Sequence, residues 1–112
     1  MGKLQEDFEK IWATIRRVPL GRVATYGQIA AEAGFVKRPR LTAQALAHVP
    51  PGMEIPWHRI INAQGKSSMP EGSRGNREQL KRLKNEGIKI VNCKIDLEVY
   101  RWRPRSLAPL LD

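Results

Sequence analysis

The stretch IPWHRII, residues 55–61, contains the side chains in this chain that are best suited to chemistry. His58 is a titratable imidazole, Arg59 is a permanent cation, and Trp57 carries the largest apolar side chain. Catalysis through His58 needs a nucleophile or a polarised water beside the imidazole, and the immediate neighbours supply neither. On residue types alone, the stretch is either the frame of a catalytic motif without its nucleophile or a Trp–His pair buried in a core.

Thiol and metal chemistry have little support elsewhere in the chain. Its 112 residues include one cysteine, Cys93, and two histidines, His48 and His58. A single thiol forms no internal disulfide, and the histidines lack carboxylates at metal-ligand spacing, so we expect no metal and no cofactor. Cys93 falls in a predicted turn, where nothing in the sequence predicts the cationic pocket that activates a thiol, and we interpret it as incidental.

The charge balance favours a polyanionic partner. The chain has 20 lysines and arginines against 11 acidic residues, a formal net charge of +9, which is typical of a nucleic-acid-binding surface. Its start, MGKLQEDFEK, is charged throughout, and no apolar run approaches the roughly 20 residues of a membrane span. We therefore expect no signal peptide, no membrane contact, and a cytoplasmic location, associated with the nucleoid if the source is bacterial.

Three helices are predicted in the N-terminal half. Apolar residues recur at helical spacing over residues 4–18. The segment TYGQIAAEAG, 25–34, opens with a capping box, in which the Thr25 hydroxyl caps a backbone N–H and the Gln28 amide reaches back. A third helix is predicted from 39 to 48, with proline in its first turn. The second and third helices, joined by a turn that contains glycine, predict a helix-turn-helix.

The C-terminal half predicts a basic helix and a hairpin. After the extended segment EIPWHRIINAQG, the Ser- and Gly-rich residues 66–75 indicate a flexible loop. A basic helix follows over 76–86. The segments IKIV and KIDLEVYRW then predict two strands that turn near Asn92 and Cys93.

Length and composition limit the possible architectures. A chain of 112 residues with 41% hydrophobic residues suits one domain, 1–112, with a single core. We expect an α/β fold that is mainly helical, with a winged-helix-like helix-turn-helix and a short C-terminal β-hairpin. The last residues, from about 104 to 112, are expected to be frayed.

Four blocks of the sequence, in this order, resemble one known family. They are GRVATYGQIAAEAG, RPRLTAQAL, IPWHRIINAQGK and a helix that ends in NEG, within a match from about residue 5 to residue 103. Their order and spacing resemble the C-terminal DNA-binding domain of the O6-alkylguanine-DNA alkyltransferases, in which the cysteine of a Pro-Cys-His-Arg run accepts the alkyl group. The corresponding residue here is Trp57, the mark of the alkyltransferase-like proteins, which bind the lesion without repairing it. Since an indole N–H is not a usable nucleophile at neutral pH, the resemblance implies a binding protein and not an enzyme.

The resemblance also implies a pocket for a flipped base, with the loop 67–73 as one wall. Its implied lining residues are Tyr26, Leu46, Trp57, Ile60, Met69 and Pro70. Carbonyls around Trp57 and Ile60 would accept from the guanine amino group. The proton-relay pair of the family corresponds to His58 and Glu86, which beside Trp57 can only be structural, bonded directly or through a water. Asn62 is implied to bridge its turn toward the helix-turn-helix.

Contacts to DNA are implied for the helix-turn-helix. Arg40 corresponds to the finger that fills the space left by the flipped base, and Tyr26 crowds a phosphate to help the rotation. The implied DNA-binding residues are Tyr26, Lys37, Arg38, Arg40, Thr42 and Ala43, of which the basic pair before the finger meets phosphates. Small residues after the finger suit the narrow minor groove. Pro39 and Ala43 depart from the family pattern Ala-Arg-x-Val-Gly and bear on how deeply the finger inserts.

The function implied is recognition of O6-alkylguanine in double-stranded DNA, from the minor groove, by a monomer that directs the lesion to nucleotide-excision repair proteins. Two other classes remain open. One is an enzyme, a residual alkyltransferase or a glycosylase. The other is an ordinary helix-turn-helix regulator, which is disfavoured because apolar residues stand where polar base-reading side chains would be needed: Leu41, Ala43, Ala45 and Leu46.

Overall fold

Helix α1, Lys3–Ile15, supplies one wall of the main core. The computed structural model describes residues 2–104. The indole N–H of Trp12 on α1 donates to the carbonyl of Ala45, 2.7 Å away, and joins α1 to the third helix. The helix ends before the predicted position 18, because the next residues turn more tightly. Four apolar residues of α1 are at most 6% exposed and recur at helical spacing: Phe8, Ile11, Trp12 and Ile15.

Helices α2, Tyr26–Glu32, and α3, Pro39–Ala47, form the predicted helix-turn-helix. The Thr25 hydroxyl caps α2 by accepting from the backbone N–H of Gln28 at 3.1 Å. The other half of the predicted capping box is wrong, since the Gln28 amide donates to the carbonyl of Trp102 at 2.5 Å instead of reaching back. The amide thereby ties α2 to the C-terminal part of the described chain.

A short parallel pairing places the Trp57-His58-Arg59 segment beside the helix-turn-helix. Strand β1, Ala24–Thr25, pairs with β2, Ile60–Ile61, and Val23 extends the pairing through a parallel bridge to Arg101. All four strand residues are buried. Extended structure was predicted around β2 but not at β1, because strands this short carry no alternating pattern.

Helix α4, Arg74–Asn85, follows the Ser- and Gly-rich segment. It begins before the predicted position 76 because the Ser73 hydroxyl caps it, accepting from the N–H of Asn76 at 3.2 Å. Leu83 is fully buried, as predicted for the inner face of this basic helix.

The predicted hairpin is present but shorter than expected. Strands β3, Ile90–Val91, and β4, Lys94–Ile95, pair antiparallel around residues 92–93, whose φ angles of 53° and 62° are those of a type I′ turn. The prediction of a strand through KIDLEVYRW is wrong beyond β4. There the Asp96 carboxylate accepts from the N–H of Glu98 at 2.9 Å and caps helix α5, Leu97–Tyr100.

The expected fold class, mainly helical α/β with a helix-turn-helix and a C-terminal hairpin, is confirmed. Trp102 completes the main core between α1, α2 and α3. A second cluster lies under α4 and the hairpin: Val23, Ile61, Leu83, Ile88 and Ile95. Pro104 is buried, and the rest of the predicted frayed tail lies outside the described residues. Between residues 2 and 104, no helix is long and apolar enough to cross a membrane.

Candidate nucleic-acid interface

The 3₁₀ turn Trp57–Arg59 lies directly before β2, so the buried strand fixes its position. His58 is 8% exposed, and its Nε2 lies 2.7 Å from Oε2 of Glu86. The two residues implied as a relay pair are therefore bonded directly. Arg59 binds the same carboxylate through Nε and Nη2, the latter at 2.8 Å.

Glu86 joins three parts of the chain. Besides His58 and Arg59, it accepts a hydrogen bond from the backbone N–H of Gly21 at 2.9 Å, while Arg59 Nη1 donates to the carbonyl of Val18 at 2.8 Å. Burial raises the pKa of Glu86, but the hydrogen bonds from Arg59, Gly21 and His58 outweigh burial and lower the pKa to about 2. The carboxylate therefore stays charged at neutral pH and ties α4 to the segments before β1 and β2.

Gln79 of α4 supports the turn from behind, a role that the sequence did not reveal. It is 2% exposed, and its Nε2 donates to the carbonyls of His58 at 3.1 Å and Ile60 at 2.8 Å. Ile60 is 1% exposed within the main core. This corrects the prediction that Ile60 lines a pocket, because its side chain packs in the core and its carbonyl already has a donor.

An open cavity of about 730 Å³ lies beside Trp57, a volume typical of small-ligand sites. Trp57 and Leu46, both predicted as pocket residues, line it. The other lining residues are Val49, Met53, Glu54, Ile55, Pro56, His58 and Arg82. Most of these come from the proline-containing turn after α3, which has no periodic pattern that would have indicated a wall.

Arg82 also lines the cavity, although no pattern in the sequence indicates it. It lies on α4, where its guanidinium carbon is 5.4 Å from the centroid of the Trp57 indole, within cation–π range. Its Nε donates to Oε2 of Glu78 at 2.8 Å. In the sequence it is one of several basic residues of a solvated helix, and only the fold brings it to Trp57.

Tyr26 contacts the loop 67–73 and not the cavity. Its hydroxyl lies 2.5 Å from the hydroxyl of Ser68. Met69 is half-buried with its sulfur against Gly75, and Pro70 is exposed. None of the three predicted pocket residues Tyr26, Met69 and Pro70 lines the cavity, although the loop does meet the tyrosine expected to act with it.

The turn before α3 presents basic side chains to solvent. Lys37 has a φ of 63°, in the left-handed region, and Arg38 lies with its guanidinium carbon 5.6 Å from the centroid of the Phe35 ring. Arg40 and Ala43 are exposed on α3. Among residues 2–104, Arg40 has no hydrogen-bond or ion-pair partner, so its guanidinium is free to meet a ligand.

Two predicted site residues have structural roles instead. Thr42 is fully buried and its hydroxyl donates to the carbonyl of Tyr26 at 2.9 Å, which corrects the prediction that it faces DNA. Asn62 accepts from the backbone N–H groups of Gln64 and Lys66, at 2.9 Å and 3.0 Å. It therefore closes its own turn, and none of these bonds bridges to the helix-turn-helix. The described part of the chain contains no group of three or more His, Cys, Asp or Glu side chains that could hold a metal ion.

A helix-turn-helix, a 3₁₀ turn bonded to Glu86 and an adjoining cavity together are consistent with a DNA-binding domain. Residues 6–88 match the family described as 6-O-methylguanine DNA methyltransferase, DNA binding domain, and the chain belongs to that family. Its relatives include alkyltransferase-like protein 1 of Schizosaccharomyces pombe, 35% identical over 107 residues that cover 91% of this chain and 99% of that protein. A DNA base-flipping protein of Vibrio parahaemolyticus is 41% identical, over 85% of this chain and 94% of its own.

Solved structures agree with the sequence relatives. The chain superimposes on Schizosaccharomyces pombe Atl1, in complex with damaged DNA containing O6-carboxymethylguanine, with a TM-score of 0.81 and 34% identity. The match covers 92% of this chain and all of the other. The family predicted from the four sequence blocks, the alkyltransferase-like relatives of the alkyltransferases, is therefore confirmed.

Proposed function

We propose that the protein is a non-catalytic sensor that binds O6-alkylguanine in duplex DNA by flipping the lesion out of the helix. The observation that supports this proposal is that Trp57 lines the cavity. By the resemblance of the sequence motif, Trp57 corresponds to the acceptor cysteine of the alkyltransferases. A relative named as a base-flipping protein, and another solved on damaged DNA, support the same activity for this chain.

Lack of alkyl transfer follows from the groups around the cavity. An indole N–H does not attack an alkyl carbon at neutral pH. The His58–Glu86 pair, which the resemblance identifies with the proton relay of the family, has no thiol beside it among the residues that line the cavity. Cys93, the one thiol in the sequence, is exposed in the β3–β4 turn and does not line the cavity. The lesion would therefore stay chemically unchanged while it is bound.

Arg40 and Tyr26 are the residues proposed to hold the duplex with the base out. Extrusion costs a few kcal/mol of stacking, so a group must fill the vacated space. The exposed guanidinium of Arg40 is planar and can stack there while it donates hydrogen bonds to the orphaned base. Tyr26, joined to Ser68, stands at the start of α2 where it can press on a phosphate.

We further propose that the bound protein acts as a monomer and directs the lesion to nucleotide-excision repair proteins. A sensor that leaves the lesion in place requires a later step that removes it. The net charge of +9 supports binding to DNA and opposes self-association.

A direct test compares binding to two duplexes that differ by one O6-methyl group on a guanine. We expect tighter binding to the methylated duplex, with the labelled methyl group still on the DNA after incubation and no free base. Equal affinity for both duplexes would favour an ordinary helix-turn-helix regulator. Label transferred to the protein, or a released base, would establish an enzyme.

A further inference from the structure

Arg82 is a charged cavity residue that the proposed mechanism does not use. Its guanidinium carbon lies 5.4 Å from the Trp57 ring centroid, and its Nε is bonded at 2.8 Å to Glu78, one helical turn earlier on α4. The guanidinium is therefore oriented by an aromatic face and by a carboxylate. Its two Nη groups have no hydrogen-bond partner within residues 2–104, so their N–H donors are available to a ligand.

The cavity contains one opposing charge, Glu54. In the described chain no ion pair joins Glu54 to Arg82, so the two side chains can act on a ligand separately. Glu54 is exposed and the side chain of Arg82 is 47% exposed, so solvent and salt limit the strength of either effect. A guanidinium with free N–H groups fits a carboxylate, which can accept two of them in parallel.

We infer that Arg82 sets the charge preference of the cavity, so that an O6 adduct ending in a carboxylate binds more tightly than a neutral adduct of the same size. The inference rests on the proposed function, because it requires the alkylated guanine to enter this cavity beside Trp57. There the indole offers an apolar face to the purine, and the Nη groups of Arg82 receive the carboxylate of the adduct. Glu54 repels the same carboxylate and reduces the preference.

Two matched lesions test the inference. O6-carboxymethylguanine and O6-carbamoylmethylguanine have nearly the same shape and differ by one charge. Dissociation constants for duplexes with each lesion, at one salt concentration, should show that the wild-type protein favours the carboxylate about fivefold, the upper range for an exposed ion pair. Arg82→Gln should reduce that ratio to 1 or below, because Glu54 still repels the carboxylate. Glu54→Gln should raise the ratio above the wild-type value, as expected for removal of an exposed like charge.

Controls separate a local effect from general electrostatics. Arg77→Gln removes the same charge from the same helix at an exposed residue that does not line the cavity, so it should retain the wild-type ratio. Arg82→Lys keeps the charge without the planar fork and should retain part of the preference. Thermal unfolding of each variant verifies that the fold is intact, as expected for a side chain that is 47% exposed.

The outcomes distinguish the two proposals. The inference is overturned if the wild-type protein binds both lesions better than undamaged duplex but without preference. It is also overturned if Arg82→Gln keeps the preference, or if Arg77→Gln loses as much of it. Should the wild-type protein bind neither lesion better than undamaged duplex, the proposed function itself fails, and the role of Arg82 fails with it.

Discussion

At the scale of single residues, neighbours in the chain differ in exposure. Trp57 and His58 both line the open cavity, but Trp57 is partly exposed while His58 is buried and bonded to Glu86. The buried pair and Arg59 hold the turn in place whether or not a nucleophile precedes them. The arrangement therefore fixes the turn without any contribution from a thiol at position 57.

A thiol placed at position 57 should not give the protein repair activity. In Trp57→Cys we expect little or no transfer of an alkyl group, because a nucleophile must lie within ~3–3.5 Å of the alkyl carbon and in line with the leaving oxygen. The smaller side chain enlarges the cavity, so thiol and lesion would be loosely placed. Lesion binding should also weaken by about 1–3 kcal/mol through lost apolar contact. A stoichiometric transfer assay and a binding titration measure both effects.

Rapid and complete transfer by Trp57→Cys would show that the cavity is still arranged for chemistry. Undiminished lesion affinity would show that the indole only fills space. Trp57→Phe is the matched control, because it retains an aromatic face without introducing a nucleophile, and it should keep most of the affinity.

Glu86 should make the free energy of unfolding depend on pH. Its pKa in the folded protein is about 2, below the ordinary 4.5, so the carboxylate stabilises the fold fully above about pH 4.5, and this contribution is lost as the pH falls toward 2. The lowered pKa corresponds to a contribution of on the order of 3 kcal/mol to the free energy of unfolding at neutral pH. Glu86→Gln should therefore be much less stable than wild type at pH 7 in urea denaturation, and the difference should narrow steadily below pH 4.5.

Glu78→Gln is the comparison for Glu86→Gln, since it removes a carboxylate from the same helix at an exposed position. The free energy of unfolding of Glu78→Gln should stay close to that of the wild-type protein at pH 3 and at pH 7. If Glu86→Gln lost the same amount of stability at pH 3 as at pH 7, the Glu86 carboxylate would not act through its charge.

At the scale of elements, local signals predicted the helices well and long-range pairings poorly. Helical spacing indicated α1, and hydroxyl caps at Thr25 and Ser73 start α2 and α4, although the second cap was not recognised in advance. The β1–β2 pairing has no local signature because it joins residues 24–25 to residues 60–61. Helix α5 was missed since the apolar run around it favours a strand and only the Asp96 cap stops that strand.

The candidate site shows the same division. The family resemblance identified Trp57 and Leu46, which do line the cavity. Both residues lie within the sequence blocks that carry the resemblance. Arg82 reaches the cavity only through the packing of α4 against the 3₁₀ turn, which no pattern within α4 reveals. Thr42 was assigned to DNA because it is small, while its hydroxyl in fact holds α3 to α2.

Helix α3 should act on DNA through Arg40. Arg40→Ala is expected to weaken lesion binding by on the order of 1–3 kcal/mol, the range for stacking and cation contacts to bases. The fold should be unaffected, because Arg40 is exposed. Binding titrations with lesion and undamaged duplex, together with thermal unfolding, measure the two effects. Arg16→Ala, an exposed arginine at the end of α1, is the charge-matched control, and an unchanged lesion affinity in Arg40→Ala would refute the finger role.

At the scale of the whole molecule, charge is the dominant property. The net charge of +9 is distributed over exposed lysines and arginines, and Lys37 and Arg38 lie just before the proposed finger. Such a surface binds duplexes of any sequence by releasing counterions. We therefore expect any lesion preference to come from the cavity and the proposed finger, and general affinity to come from the charge.

Salt should separate these two contributions. We expect non-specific duplex binding to fall steeply with ionic strength, by roughly 0.9 in log–log slope for each neutralised phosphate. The double substitution Lys37→Ala with Arg38→Ala should make the slope shallower by about 2 and leave the lesion preference almost unchanged. Lys81→Ala with Lys84→Ala removes the same charge from exposed positions of α4 and should alter the slope less. Binding that is flat between low and physiological salt would contradict a phosphate-contacting surface.

Val23, directly before β1, and Gln28 of α2 bind residues near position 100, which has a consequence for biosynthesis. Val23 donates to the carbonyl of Tyr100 at 2.9 Å and accepts from the N–H of Trp102 at 2.7 Å, and Gln28 donates to the carbonyl of Trp102. A ribosome adds about 5–20 residues per second, so several seconds separate the synthesis of Val23 from that of Trp102. During that interval the backbone of Val23 lacks these partners, and the main core lacks the side chain of Trp102. The helix-turn-helix is therefore among the first segments to be translated and among the last to be completed.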